Sequence, residues 1–143
     1  MVNLPLSLSS AVARLRTGID VVQISRIEES FRCFGDRFAE RLFTVSEIDY
    51  SGRVPALAAQ RYAARFAAKE ATLKALDLAH AGIDWREIEV VREPCGACRL
   101  ALHGKAARLV EPLPAEDLAL SLSHDGDYAV AIVVALRDTR TSH

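Results

Sequence analysis

Glu70 occupies an awkward position for a carboxylate. Within Arg65-Phe66-Ala67-Ala68-Lys69-Glu70-Ala71-Thr72-Leu73-Lys74, an alanine-rich run with helical spacing, it falls on the apolar side. With Phe66 as zero and about 100° per residue, Ala59, Ala63 and Leu73 lie within about a sixth of a turn, and Glu70 stands among them at about 40°. Burying an unpaired charge costs so much that the group neutralises instead. Glu70 therefore either pairs with Lys74 one turn on or helps to bind a cation from elsewhere. The first option is structure and the second is chemistry. Another acid, Asp20, stands alone among apolar neighbours in the strand-like Gly18-Ile19-Asp20-Val21-Val22, with Ile19 and Val21 on the opposite side. Asp is a poor strand residue, and its ordinary use here is to cap the helix that follows.

Other reactive side chains carry weaker signals. Cys95 and Cys98 have C-x-x-C spacing, but no further ligand pair stands at a matching spacing, and Pro94 with Gly96 reads as a turn between strands. With Cys33 the cysteine count is odd in a chain too large to need stapling, so free thiols are expected. Arg26, Arg32, Arg37 and Arg41 share a compact helical region with Glu28, Glu29 and Glu40 as local partners. The chain has 18 basic and 19 acidic residues, dispersed, which excludes bulk attraction to nucleic acid or anionic membrane. A polyanionic ligand must meet a local cluster instead. No apolar run approaches the ~20 residues of a membrane span, and the expected location is the cytoplasm.

The elements that must position these groups are legible from periodicity. Residues 1–17 read as an irregular arm, with Ser10 able to cap a short helix. Residues 18–136 form one domain, and 137–143 a polar tail. A strand at Gly18–Val22 precedes a helix from Gln23 to Phe34 with Ile24, Ile27, Phe31 and Phe34 at helical spacing, ended by Gly35. Thr44-Val45-Ser46-Glu47 matches a capping box. Pro55 fits the first position of a helix running to Leu76, whose alanines let another element lie close. A hairpin joins Ile88–Val91 to Arg99–His103, and a short helix covers Lys105–Val110. A second hairpin turns at Asp125-Gly126, and its return strand Tyr128–Leu136 is apolar on both faces, which predicts a central position.

Three features in this order resemble one family: Gly18-Ile19-Asp20-Val21-Val22, then Arg65-Phe66-Ala67-Ala68-Lys69-Glu70-Ala71 with Lys74, then Ser121-Leu122-Ser123-His124. They are similar to the holo-[acyl-carrier-protein] synthases, the short trimeric branch of the 4'-phosphopantetheinyl transferases. The likeness extends from about Gly18 to Leu136. It implies an α+β fold with an antiparallel sheet wrapped around the long central helix, and a homotrimer with active sites between neighbours. The implied reaction moves 4'-phosphopantetheine from coenzyme A to a serine of an apo acyl carrier protein, leaving adenosine 3',5'-bisphosphate. By the same resemblance Asp20 and Glu70 hold Mg²⁺, Lys74 stabilises the phosphates, and Glu70 or Asp20 serves as base. His124 borders the coenzyme A site of the adjacent subunit, Arg65 and Lys69 lie near the nucleotide, and Arg26 meets the carrier protein, with Arg37 and Arg41 extending that face.

One stretch departs from the family. Where it has Gly-x-Gly after the lysine, this chain has Asp77-Leu78-Ala79, which adds charge and Cβ bulk beside the expected nucleotide loop. The alternatives are a catalytically silent relative that trimerises and binds carrier protein or nucleotide, and a specialised transferase serving a polyketide or peptide synthase carrier.

Overall fold

The computed structural model describes residues 15–114 and 117–137 of the 143-residue chain. Strand β1 (Leu15–Gln23) leads into helices α1 (Ile24–Phe34), α2 (Asp36–Leu42), α3 (Val45–Gly52) and the long α4 (Pro55–Leu76). A 3-10 turn (Trp85–Glu87) opens the hairpin of β2 (Ile88–Arg92) and β3 (Cys98–Leu102). Helix α5 (Gly104–Leu109) and a second hairpin, β4 (Leu118–Asp125) and β5 (Tyr128–Leu136), complete the fold. The strands form two antiparallel sheets, β1-β5-β4 and β2-β3, packed about α4. The architecture is the α+β arrangement expected, with two sheets in place of one continuous sheet.

Helix α4 carries Pro55 in its first turn, and its small residues set how closely the strands approach. Ala63, Ala67, Ala68 and Ala71 are fully buried, as are Ala129, Ala131, Val133 and Ala135 on the facing side of β5. At Gly18 the strand backbone lies directly on the helix: a Cβ there would overlap the Ala71 carbonyl oxygen and come within 2.8 Å of the Ala75 nitrogen. The other end of the core is aromatic. Phe31 of α1 packs on Phe38 and Tyr62 with ring centroids 5.1 and 4.9 Å away, and Tyr62 packs on Phe43 at 4.9 Å.

Several boundaries and roles differ from the sequence expectations. Strand β1 begins at Leu15, so the arm ends earlier than residue 17; residues 1–14 and 138–143 lie outside the described residues. Arg137, the first residue of the expected tail, docks on the helix end by donating from Nη1 to the Leu76 carbonyl at 3.3 Å. Asp20 does not cap α1, because it pairs in mid-strand with Ala131. Asp127 caps that helix instead. Its carboxylate accepts from the Ser25 N–H at 2.9 Å and the Ser25 hydroxyl at 2.6 Å, and its carbonyl accepts from the Ile24 N–H at 2.7 Å. The hairpin therefore turns one residue later than expected, at Gly126-Asp127, with Gly126 at φ +54° supplying the left-handed turn position.

Strand β5 is central, as its double apolar pattern predicts, but only one of its faces is covered. On the outer face of the β1-β5-β4 sheet, Ile19 and Val21 are each 57% exposed, and Leu15, Tyr128, Ile132 and Leu136 are also open. Past the C-terminus of α4, Asp77 takes the left-handed conformation (φ 56°, ψ 45°) that glycine adopts most easily. The Leu78 N–H closes the helix on the Leu73 carbonyl at 2.9 Å, and the Asp77 side chain is exposed.

Gly18→Ala is expected to lower stability by about 3 kcal/mol or to prevent folding, because the added methyl meets helix backbone that cannot move aside. Urea denaturation of the variant checks this, and a loss below about 1 kcal/mol would show that strand and helix have room to part.

Candidate active site

Asp20 shares the helix-facing side of β1 with the buried Gly18 and Val22, so the Gly18 contact brings its carboxylate against the Glu70 and Lys74 flank of α4. Lys74 turns toward the strand rather than back along its own helix. Its Nζ donates to the Ile19 carbonyl at 2.8 Å and to Asp20 Oδ1 at 3.1 Å. That settles the local alternative for Glu70, which has no ion pair with Lys74 or with any other described residue. Burial, and next the negative charge of Asp20, raise the Glu70 carboxyl above the usual glutamate range, with Lys74 opposing.

Asp20, paired with Lys74, and Glu70, with no ion pair among the described residues, are the two carboxylates here that could hold a cation. Among the described residues no three His, Cys, Asp or Glu side chains converge into a metal cage. The pair suits a hard cation that takes one or two carboxylates and completes its shell with water and phosphate oxygens, the habit of Mg²⁺.

Arg65 and His124 stand elsewhere. Arg65 lies about 140° around α4 from Glu70, and His124 is on β4, at the opposite edge of the sheet from β1. Asp20 pairs with Ala131 and His124 with Ala129 on the same central strand, so their backbones are separated by two strand spacings, about 10 Å or more. The two groups thus lie on different flanks of α4, and a single chain does not bring them together.

The second cluster is built around Tyr50 of α3. The guanidinium carbons of Arg61, Arg65 and Arg92 lie 4.4, 4.5 and 5.1 Å from its ring centroid. Arg61 and Arg65 also donate to the Tyr50 and Arg61 carbonyls at 3.1 and 3.2 Å. These arginines and His124 line a cavity of about 580 Å³, and none of them has a carboxylate within salt-bridge distance among the described residues. The family motif points to Arg65 and His124 but gives no signal for their neighbours Tyr50, Arg61 and Arg92, which come from three separate elements and share no spacing.

Lys69 contradicts its expected place beside the nucleotide. Its side chain is fully buried on the inner side of α4, where Nζ donates to Glu47 Oε1 at 2.8 Å, to the Trp85 carbonyl at 3.1 Å and to the Ile88 carbonyl. Glu47 is equally buried and also accepts from the Thr44 N–H at 2.9 Å and the Val90 N–H at 3.2 Å. The capping box expected at Thr44 is present, and its glutamate serves a second purpose as the counter-ion of Lys69. Burial lowers the Lys69 ammonium below the usual lysine range, and Glu47 counteracts this. Arg26, Arg37 and Arg41 are exposed, and none is ion-paired with a described residue, so the local pairing to Glu28, Glu29 and Glu40 does not form. Arg37 and Arg41 line a depression with Trp85 and Arg86.

Lys69→Met is expected to cost about 3 kcal/mol in urea denaturation, because Glu47 is left buried without its cation. For Glu70 the sign runs the other way. Its folded-state affinity for a proton exceeds that of the unfolded chain, so stability falls as pH rises from the ordinary glutamate range through the raised folded value. Glu70→Gln should therefore melt higher than the parent at neutral pH in chelator and show a flatter pH dependence; a lower melting temperature would contradict the uncompensated carboxylate.

Residues 16–133 match the family model described as the 4'-phosphopantetheinyl transferase superfamily. Among similar curated proteins, the holo-[acyl-carrier-protein] synthase of Koribacter versatilis is 46% identical over 121 residues, covering 84% of this chain and 96% of the relative. That of Geobacter sulfurreducens is 47% identical over 123 residues, covering 85% and 96%. The solved ACPS-CoA complex of Chronobacterium ammoniagenes superposes with TM-score 0.74 at 32% identity, over 87% of this chain and 98% of that one. Helicobacter pylori holo-[acyl-carrier-protein] synthase in complex with coenzyme A gives 0.71 at 30%, over 83% and 98%. With its strand acid, helix acid and helix lysine gathered at one flank of the central helix, this chain belongs to the 4'-phosphopantetheinyl transferase superfamily, in its holo-[acyl-carrier-protein] synthase branch.

Proposed function

We propose that this chain transfers the 4'-phosphopantetheine arm of coenzyme A to a serine hydroxyl of an apo acyl carrier protein, with adenosine 3',5'-bisphosphate as the other product. The observation that carries this reading is the Glu70 carboxylate, without an ion pair among the described residues, on the flank of α4 that also holds the Asp20–Lys74 pair. Asp20 and Glu70 are the residues that would hold Mg²⁺, which when bound supplies charge neutralisation for the pyrophosphate. Lys74, half-exposed, holds a phosphate oxygen as a point charge beside them. Glu70, directly or through a metal-bound water, takes the proton of the acceptor serine.

The nucleotide half of the substrate belongs in the arginine-lined cavity that Arg65 and His124 border. Because the two half-sites occupy opposite flanks of α4, a complete site takes Asp20, Glu70 and Lys74 from one protomer and Arg65 and His124 from the next. A homotrimer assembled through the open apolar face of β1 and β5 supports this arrangement and covers Ile19, Val21 and Ile132. The exposed Arg26, Arg37 and Arg41 form the face that meets the acidic carrier protein. Three unpaired cysteines fit the cytoplasm, and among the described residues no helix is long and apolar enough to cross a membrane.

Incubation with Mg²⁺, coenzyme A and a panel of apo carrier proteins should add one phosphopantetheinyl group to at least one carrier by mass spectrometry, and Glu70→Gln should add none. Modification of a fatty-acid carrier identifies the housekeeping reaction, and modification confined to a polyketide or peptide synthase carrier identifies the specialised one. No mass gain with any carrier would favour the silent alternative.

A further inference from the structure

The cysteines differ in their surroundings in a way that exposure alone does not capture. Cys33 and Cys95 are exposed, whereas Cys98, at the start of β3, is half-buried and lines the 580 Å³ cavity with Arg61, Arg65, Arg92 and His124. Arg65 borders the same cavity with only 3% of its surface exposed, and its Nε has no hydrogen-bond partner among the described residues. A buried guanidinium nitrogen left unsatisfied beside a cavity marks a place for an acceptor atom. Arg65 and Cys98 line the same cavity; burial lowers the Arg65 guanidinium below its usual range, and Cys98 is the leading group that opposes this.

We propose that Cys98 is a site of reversible S-thiolation by small anionic disulfides, directed there by the arginine-lined cavity. The Cys98 thiolate attacks one sulfur of the disulfide; the protein–sulfur bond forms as the disulfide bond breaks. The expelled thiolate leaves with the electron pair and takes a proton from solvent, so one protein thiol is oxidised and one small thiol is released. The guanidinium groups of Arg61, Arg65 and Arg92 concentrate the anionic reagent and face the negative charge on attacking and departing sulfur. Cys95, three residues away on the turn and outside the cavity wall, lacks that setting and serves as an internal control. An adduct on Cys98 occupies the space the transferase reading gives to the nucleotide; the chemistry of attachment does not rest on that reading.

The test uses the full-length reduced protein with three reagents: glutathione disulfide, coenzyme A disulfide and the neutral bis(2-hydroxyethyl) disulfide. Adducts are located by peptide mass mapping over time. Cys98 should react about tenfold faster relative to Cys95 with the anionic reagents than with the neutral one, and Arg92→Gln should shrink that advantage. A higher rate with coenzyme A disulfide identifies a nucleotide-bearing source, and a higher rate with glutathione disulfide identifies the tripeptide; either supports the site. Labelling that follows exposure, with Cys33 and Cys95 ahead of Cys98 for every reagent, would overturn it, as would an unchanged preference in Arg92→Gln.

Discussion

The chemistry of this molecule depends on the place where strand β1 lies directly on helix α4. Gly18 has no Cβ, and its backbone sits against the Ala71 carbonyl in a gap that no other residue type fits. Because the strand repeats every second residue, closing that gap at Gly18 fixes Asp20 on the same face, against the flank of α4 that carries Glu70 and Lys74. The acid pair is thus a consequence of backbone packing, and the alanines of the helix act with the glycine as one contact. Its cost appears at Glu70, which is held partly out of water near a second carboxylate with no cation of its own. Such a position is unfavourable for a carboxylate that has no cation beside it, and it is the kind of setting found where groups bind or react.

The other side of α4 is fixed differently. Lys69 threads into the interior and ties the helix to the α3 cap through Glu47 and to β2 through the Ile88 carbonyl. A buried ion pair is weak evidence of net stability, since well-packed apolar side chains could replace it. Here it joins three elements at one point, and so it specifies the rotation of α4 about its axis. That rotation decides whether Glu70 faces β1 and whether Arg65 faces Tyr50. The adjacent residues Lys69 and Glu70 therefore differ in kind: one is tied into the interior and orients the helix, and the other is a carboxylate with no ion-pair partner among the described residues.

Much of this could be read from the residues alone. Most of the helices and strands follow from apolar spacing, from Pro55 and from the Thr44 capping box, and Asp20 and Glu70 stand out as charges at apolar positions. Features set by chain-distant packing were not legible. Lys69 is expected beside the nucleotide by the family resemblance, and nothing local points to its partner Glu47, which is 22 residues away and already serves the capping box. The three arginines about Tyr50 come from α4 and β2, and nothing in their spacing marks them as a group. Asp127 lost its capping role to Asp20 in the sequence reading because the aspartate that fills it arrives from the far end of the chain.

The central claim is that the site is divided: the acids and Lys74 on one flank of α4, the arginine cavity on the other, and completion by a second chain. Mixed assemblies test it directly. Glu70→Gln and Arg65→Gln proteins should each lack transfer activity, since each lacks one of the two groups in every chain. Co-refolded at equal amounts, one variant supplies Glu70 and its neighbour supplies Arg65, and random assembly should restore about a quarter of the parent rate. No recovery in mixed trimers that are shown to form would mean that both groups act within one chain, and the divided site would be wrong.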